Sequence, residues 1–536
     1  MRFRNHVRAS VAVVGLVLLG STVMASASIP NQKTGSAKPR AGGTITVAGG
    51  GSMPVTLDPG TSATQPSSAP WFTLVYGQLF RHNPNNSISP ALATSYTTSA
   101  NGLTATLTLR HGVKFQDGTP FDASAVRFNL LRDVHGDASG TCPCEPFIHE
   151  IKSVTTAGKY VVNIHLAARD NLLYDVLSES TASYMISPAA YTQYGPLSYG
   201  LHPVGAGPYR VTQFTPSTSI TFVKNDHYYD RPRPYIQQIN AVAVHGDPAL
   251  LAGLGSQTLD WVAFNELNAI STPGQARSAD AAFTHEIATP RNMWMEIQPN
   301  AQKPPFNNIQ ARQALAEATD PAPMMVTVAG SPQATCQVQG PAQQLPVGTK
   351  CPKGYTGYNP TAAQTLVKQL DAKYGPNFMT FSIEDVVPGT VSSAIMAALQ
   401  KEYQAVGMNV TLSIKTHGQM VADQADGNFN VFAPNPGGQD DNPYLSVSDL
   451  IEAGSPQNAF GYKSAALDAL AVRVGTAKSP AQELSLWKQY LSADELEYAN
   501  IPMWSAGSDE FLNDNLHGVV FAGRDVYFDS AWWTGP

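Results

Sequence analysis

Charge is scarce in this sequence. Asp, Glu, Lys and Arg make up 14% of its 536 residues, where soluble proteins average roughly 25%. Its polar surface therefore leans on Ser, Thr, Asn, Gln and Gly. Basic clusters are missing too, and the formal net charge is −7. That argues against nucleic acid or an anionic membrane surface as a partner. Catalytic signatures are also absent. There is no H-E-x-x-H, no P-loop and no G-x-S-x-G, so metalloprotease, nucleoside-triphosphatase and serine-hydrolase readings lack their defining residues. Gly205-Ala206-Gly207-Pro208 superficially suggests a phosphate loop. Pro208 removes an N–H that would face phosphate, and no helical pattern follows. The twelve histidines are scattered, and His285-Glu286 reads as a strand pair because no second ligand lies at helical spacing.

Long apolar runs are confined to the N-terminus. Arg2, Arg4 and Arg8 precede an apolar run over Val11–Gly20, and Ala25-Ser26-Ala27 follows. This is the pattern of a secretory signal peptide with cleavage near Ala27. The run is too short for a spanning helix, which needs about 20 residues. Leu18-Leu19-Gly20-Ser21 carries Ser where a lipid-attachment cysteine would sit. Of the 33 Lys and Arg, three fall in residues 1–27, which leaves 30 against 40 Asp and Glu. An exported protein, periplasmic or extracellular, is the expectation.

Only four cysteines occur. Cys336 and Cys351 bracket a loop rich in Pro, Gly and Gln, and an oxidising compartment favours a bridge there. Cys142-Pro143-Cys144 leaves several readings open: a local bridge, a metal pair, a redox pair, or two halves of bridges to Cys336 and Cys351. Two local bridges are expected, because no histidine or second cysteine pair sits at zinc spacing.

What is plentiful points to a large α/β protein. Hydrophobic residues reach 43%, and 43 glycines with 40 prolines argue against an all-helical chain. Residues 28–41 read as a flexible tether. Gly43–Ala48 and Leu103–Arg110 alternate as strands, and Tyr160–Leu166 is another. Asp117-Gly118 marks a turn, and Asp122 is placed to cap a helix over Ala123–Leu131. Tyr209–Phe214 with Ser219–Val223 reads as a hairpin. Asn308–Ala318 reads as a short helix that Asp320-Pro321 would stop. Phe378–Ile383, Thr390–Val406 and Met408–Ile414 form strand, helix and strand over about 37 residues. That is a βαβ crossover, so its strands should be parallel neighbours in an open lobe that binds ligand at strand carboxyl ends. A last helix over Pro480–Asn500 runs into Ile501–Trp504, a strand-like hinge candidate.

Two sets of residues suit a ligand. Asp440-Asp441 sits in the loop Asn435–Pro443, just after strand-like Asn430–Ala433. A carboxylate held at a strand end suits a cationic group. Trp71, Trp294 and Trp504 combine an apolar face with one polar handle, which suits a cleft that accepts varied side chains.

Several blocks resemble extracellular solute-binding protein family 5, the peptide-, oligopeptide- and nickel-binding proteins of ABC importers. Pro90–Tyr96 resembles "PALAxSY", and Leu109–Pro120 resembles "LRxGVKFxDGTP". Val204–Tyr209 resembles "xGTGPY" with Ala206 for Thr, and Tyr228-Tyr229 stands near "N-x-x-Y-W". Leu259-Asp260-Trp261 resembles "G-x-x-D". Phe306–Asp320 resembles "PFxDxxVRQALxxAxD", with Arg312, Ala314 and Asp320 matching. They follow in the family's order from about Gly43 to Val520. The resemblance implies a periplasmic-binding-protein-like fold (type II, cluster C), a two-lobed α/β Venus flytrap with an extra inserted domain. Lobe I would hold 42–80, 200–298 and 501–536, the insert 81–199, and lobe II 299–500. It implies a monomeric binding protein without cofactor, metal or catalytic residues, capturing a peptide or peptide-like solute for a membrane permease. A metal chelate, oligosaccharide or opine is the alternative ligand, with an exported hydrolase or chaperone as the more remote readings. The family's ligand-amine loop "W-x-x-D-x-x-D-P" corresponds to Asn435–Pro443. Here the tryptophan is absent, Asn442 replaces the second Asp, and Gln439 occupies the expected aspartate position, with Asp440 and Asp441 one step away. Lobe I elements near Thr56–Ala63 complete the implied site.

Overall fold

The computed structural model describes residues 38–49, 53–61, 69–85, 87–140, 142, 144–263, 284–324, 353–385, 391–415, 419, 423, 426–436, 458, 460–522 and 525–535. Cys336, Cys351 and Gln439–Asp441 lie outside them, as do the side chains of Trp294 and Trp504.

Three large hydrophobic cores organise the described residues. The first gathers Ile45, Val47, Trp71, Phe222, Ile239, Trp261, Leu512 and Phe528. The second gathers Leu79, Leu107, Val126, Leu130, Ile164 and Met185. The third gathers Phe306, Leu315, Phe381, Leu399, Tyr403, Ile501 and Met503.

The second core lies on a four-stranded antiparallel sheet, ordered Ala93–Thr98, Thr104–Leu109, Val161–Leu166, Ile151–Thr156. Thr104–Leu109 alternates between half-buried and buried along its length, as a strand with one covered face must. A helix over Ala123–His135 covers that sheet. Its N-cap is Asp122, whose Oδ1 accepts from the backbone N–H of Ser124 at 3.0 Å and Ala125 at 3.3 Å. Replacing such a cap with Ala costs about 1 kcal/mol.

The family-like blocks act as fasteners. Gln116 Nε2 donates to the carbonyls of Val75 at 3.0 Å and Tyr209 at 2.6 Å. This pins the second core region to the first. Gly207 N–H donates to the same Val75 carbonyl at 2.9 Å. A Cβ at Gly207 would fall 2.6 Å from the Val75 carbonyl carbon, and one at Gly205 2.3 Å from its oxygen. The glycines therefore permit backbone-to-backbone approach. Arg312 donates to the carbonyls of Phe306 and Glu497, each at 2.9 Å. It thereby ties the helix Ile309–Ala318 to the end of the helix Pro480–Glu497.

One ten-stranded sheet runs through the first and third cores. Its order is Tyr209–Thr215, Ser219–Lys224, Gln238–Val242, Thr44–Gly49, Trp261–Ala263, Ile501–Asn513, Thr284–Pro299, Val431–Pro436, Thr380–Asp385, Asn409–Ile414. Tyr209–Thr215 and Ser219–Lys224 form the expected antiparallel hairpin. Thr380–Asp385 and Asn409–Ile414 are parallel, joined through the helix Val391–Ala405. This is the crossover read from the sequence.

Two strands in the middle of this sheet are unusually long. Thr284–Pro299 has 16 residues and Ile501–Asn513 has 13, against a usual five or six. They pair antiparallel throughout, and the register shifts between Thr289 and Met293 and again between Met295 and Glu296. Pro290 and Pro502 fall at these breaks, where a missing N–H is tolerated.

Candidate functional site

The strand directions define the site. Thr44–Gly49, Gln238–Val242 and Trp261–Ala263 are parallel. Their carboxyl ends lie at Gly49 and Ala263, and Ala263 pairs with Glu510, which faces Ile287. On the other side, Thr380–Asp385, Asn409–Ile414 and Val431–Pro436 are also mutually parallel. Pro436 pairs with Met295, which faces Trp504. The two half-sheets thus point their carboxyl ends at each other. Among the described residues, Ile287–Met295 and Trp504–Glu510 run between those ends, at most roughly 25 Å of extended chain. Open α/β sheets bind ligands outside strand carboxyl ends, and here both sets face one gap. The Thr289–Met293 break lies inside the same gap and the Met295–Glu296 break at its edge.

The structure brings two of the expected site residues together. Trp294 is opposite Ser505 and Trp504 is opposite Met295, so both occupy the strand pair that crosses the gap. Gln439, Asp440 and Asp441 follow the carboxyl end at Pro436 by three to five positions and lie outside the described residues. Trp71 is placed differently from the expectation. It is 0% exposed, stacked on Phe222 and edge-on to Trp261 with centroids 6.1 Å away in each case. A Cβ at Gly49 would lie 3.1–3.2 Å from both indoles. Trp71 therefore supports the strand end from behind and shows no face to solvent. A large apolar ring gains more from that core than from water.

Sequence reasoning missed a charged cluster of Glu384 and Lys415, at the ends of the two parallel strands, with Asp423. Lys415 follows Ile414 directly, and its Nζ lies 3.0 Å from Glu384 and 2.5 Å from Asp423. Burial works against the Lys415 charge, but hydrogen bonds to Asp423 and Glu384 outweigh it and raise its pKa above the ordinary lysine value. Glu384 also accepts from Ser382 Oγ at 2.7 Å. For Lys415 and Glu384 the available signal was their position, one residue past a predicted strand's carboxyl end. A second network locks the loop around Thr56. Asp58 accepts two hydrogen bonds from Arg132, at 2.9 and 2.6 Å, while Arg132 Nε reaches Asp137 at 2.7 Å. Asp58 Oδ1 also takes the Gly60 N–H at 3.0 Å.

Residues 87–454 match the family described as bacterial extracellular solute-binding proteins, family 5 Middle. The chain belongs to that family. As a family 5 protein it is a solute-binding protein. It is 29% identical over 353 residues to the glutathione-binding protein GsiB of Pectobacterium atrosepticum. That alignment covers 65% of either chain, slightly under two thirds of the relative. Solved structures share its fold over nearly the whole length. The oligopeptide-binding protein AppA of Bacillus subtilis, in complex with a nonapeptide, aligns with TM-score 0.80 and 19% identity over 93% of this chain and 100% of its own. A dipeptide-binding protein of Pseudoalteromonas sp. SM9913, in complex with Met-Leu, gives 0.81 and 17% over 92% and 100%. The family 5 protein described here accordingly has the type II periplasmic-binding-protein fold, two α/β lobes with an added inserted domain. The two long strands are its crossovers.

Two hydrogen bonds join Asn171 to the end of the helix Ala465–Gly475 and the residues just after it. Asn171 N–H donates to the Gly475 carbonyl at 2.9 Å, and its Nδ2 donates to the Ala477 carbonyl. Asp175 and Glu483 face each other nearby, and burial first, then Asp175, raise the Glu483 pKa. Losing one net hydrogen bond, worth about 1 kcal/mol, should make Asn171→Ala release a bound solute about fivefold faster. Stopped-flow displacement measures this, and an unchanged off-rate would show that the contact does not hold the halves together.

Proposed function

We propose that this protein captures a peptide or peptide-like solute between its two lobes and delivers it to a membrane permease of an ABC importer. The observation that carries the reading is the pair of facing carboxyl ends across a register break that both long strands share. A ligand gripped from two sides favours closure, because each lobe contributes contacts that the open form cannot make together. The breaks concentrate bending where ladder hydrogen bonds are already interrupted. Relatives named for glutathione, a nonapeptide and a dipeptide support a peptide-like solute.

Trp294 and Trp504 would form the apolar floor, and Gln439, Asp440 and Asp441 would take the solute's amino group. Lobe I would hold 42–80, 200–298 and 501–536, with the insert over 81–199 and lobe II over 299–500. The protein would leave the cell interior by cleavage near Ala27 and act as a monomer. Binding and release leave the solute chemically unchanged, so no catalytic step belongs to this reading.

The test is thermal-shift screening of the chain from Ser28 onward against glutathione, α-linked di- to nonapeptides, oligosaccharides and nickel chelates. A peptide present at 100 times its Kd should add about 2.7 kcal/mol of stability, and small-angle scattering should show a smaller radius of gyration. A response to sugars or chelates alone would sink the peptide assignment. No contraction with a ligand that does bind would sink lobe closure.

A further inference from the structure

A disulfide and a carboxyl group face each other inside the second core region, away from the crossovers. Cys142 and Cys144 are bridged across a single residue, and each is 2% exposed. A ring closed over so short a loop removes little freedom from the unfolded chain, so stability alone does not account for it. Asp133, on the Asp122-capped helix, is 6% exposed. One of its carboxylate oxygens and both sulfurs lie within 4.8 Å of one another. That carboxylate has no hydrogen-bond partner among the described residues. Burial pushes its pKa up to about 7 against the pull of Arg132, and the other charged groups facing it are Asp58 and Asp137.

The two sulfurs are not equivalent. Cys142 Sγ accepts the Cys144 N–H at 3.2 Å and has Thr181 Oγ1 at 3.6 Å. Negative charge that develops on Cys142 is therefore met by a backbone donor and a hydroxyl. Such donors favour the thiolate and so make the better leaving sulfur. We propose that Cys142–Cys144 is an exchange-active disulfide that opens with Cys142 as leaving group and Asp133 as its proton donor.

The co-reactant is a small dithiol, which reaches the buried Cys144 Sγ when the packing around the bridge opens locally. One of its thiolates attacks Cys144 Sγ, forming a mixed disulfide as the Cys142–Cys144 bond breaks. The bonding pair leaves on Cys142, which takes the proton of the Asp133 carboxylic acid. The second thiolate of the reductant then attacks its own partner sulfur, closes the reductant's disulfide and releases Cys144, which is protonated from solvent. Two electrons pass from the dithiol to the protein, and Asp133 regains its proton from water.

The experiment follows reduction of the native full-length mature chain by dithiothreitol between pH 5.5 and 9. Maleimide trapping and peptide mapping assign each alkylated cysteine, which separates Cys142 and Cys144 from Cys336 and Cys351. Rates are expressed per reductant thiolate and compared with a synthetic Cys-Pro-Cys peptide. Relative to the peptide, the protein's rate should be highest at pH 6 and fall at least tenfold as pH rises through about 7. Asp133→Asn should be at least tenfold slower at pH 6 with a flat profile. If that variant does not fold, the wild-type profile against the peptide decides alone. A bridge found unformed, one reducible only in denaturant, or a protein profile matching the peptide's would overturn the proposal.

Discussion

Arg132→Met should destabilise the helix Ala123–His135 and its junction with the loop around Thr56 by about 3–5 kcal/mol, the usual result of removing one partner of a buried ion pair. Arg132 and Asp58 side chains are 7% and 2% exposed, and their closest approach is 2.6 Å. Burial disfavours the guanidinium charge, but Asp58 and Asp137 more than restore it. The substituted chain would bury the Asp58 carboxylate beside the Gly60 N–H with its cation gone. Methionine keeps most of the volume, so the loss reports charge more than packing. Guanidinium unfolding monitored region by region by hydrogen exchange measures it. The double variant Asp58→Asn, Arg132→Met should recover at least half of the loss. Equal losses in single and double variants would mean that the pair contributes nothing beyond shape.

The second large effect is on pH dependence. Asp494 and Glu495 lie in the last turn of the helix Pro480–Glu497, which leads into the long strand at Ile501, and both are almost fully buried. Burial, then Asp494, push the Glu495 pKa from 4.5 up to about 9. Burial, then Glu296, hold Asp494 well above the ordinary aspartate value. The folded chain keeps protons that the unfolded chain releases. Stability from this source is therefore full below about pH 4.5 and declines as pH rises toward about 9. Glu495→Gln preserves the shape without the ionisation. At pH 9 it should be more stable than wild type by about 2–4 kcal/mol, allowing for coupling between neighbouring acids, and indistinguishable near pH 5. Calorimetric scans at the two pH values test this. A variant that destabilises equally at both would show that the carboxylate is held by contacts independent of its proton. Because this helix abuts a crossover, the same titration should weaken solute binding at alkaline pH.

Local structure was legible where period and caps agree. Asp122 before Ala123 announced a helix, and the alternation of Leu103–Arg110 announced a half-covered strand. The strand–helix–strand spacing of residues 378–414 announced two parallel strands, which pair from Thr380↔Asn409 onward. Such signals involve residues within a few positions of each other, so they survive without knowledge of the fold. Trp71 shows the limit. Its type suits both a cleft and a core, and only the convergence of Phe222, Trp261 and Gly49 assigns it to the core. Lys415, Glu384 and Asp423 were passed over because single charges near strand ends carry no periodic signal.

The order of residues alone determined the family and the α/β character, since each rests on contiguous patterns. Tertiary structure decided that the half-sheets meet carboxyl end to carboxyl end, that Arg132 neutralises Asp58 from 74 positions away, and that Asp133 faces Cys142 and Cys144. These depend on strand register and on the packing of segments distant along the chain. A one-residue slip in register would turn every side chain to the opposite face, so no local pattern in the chain encodes them.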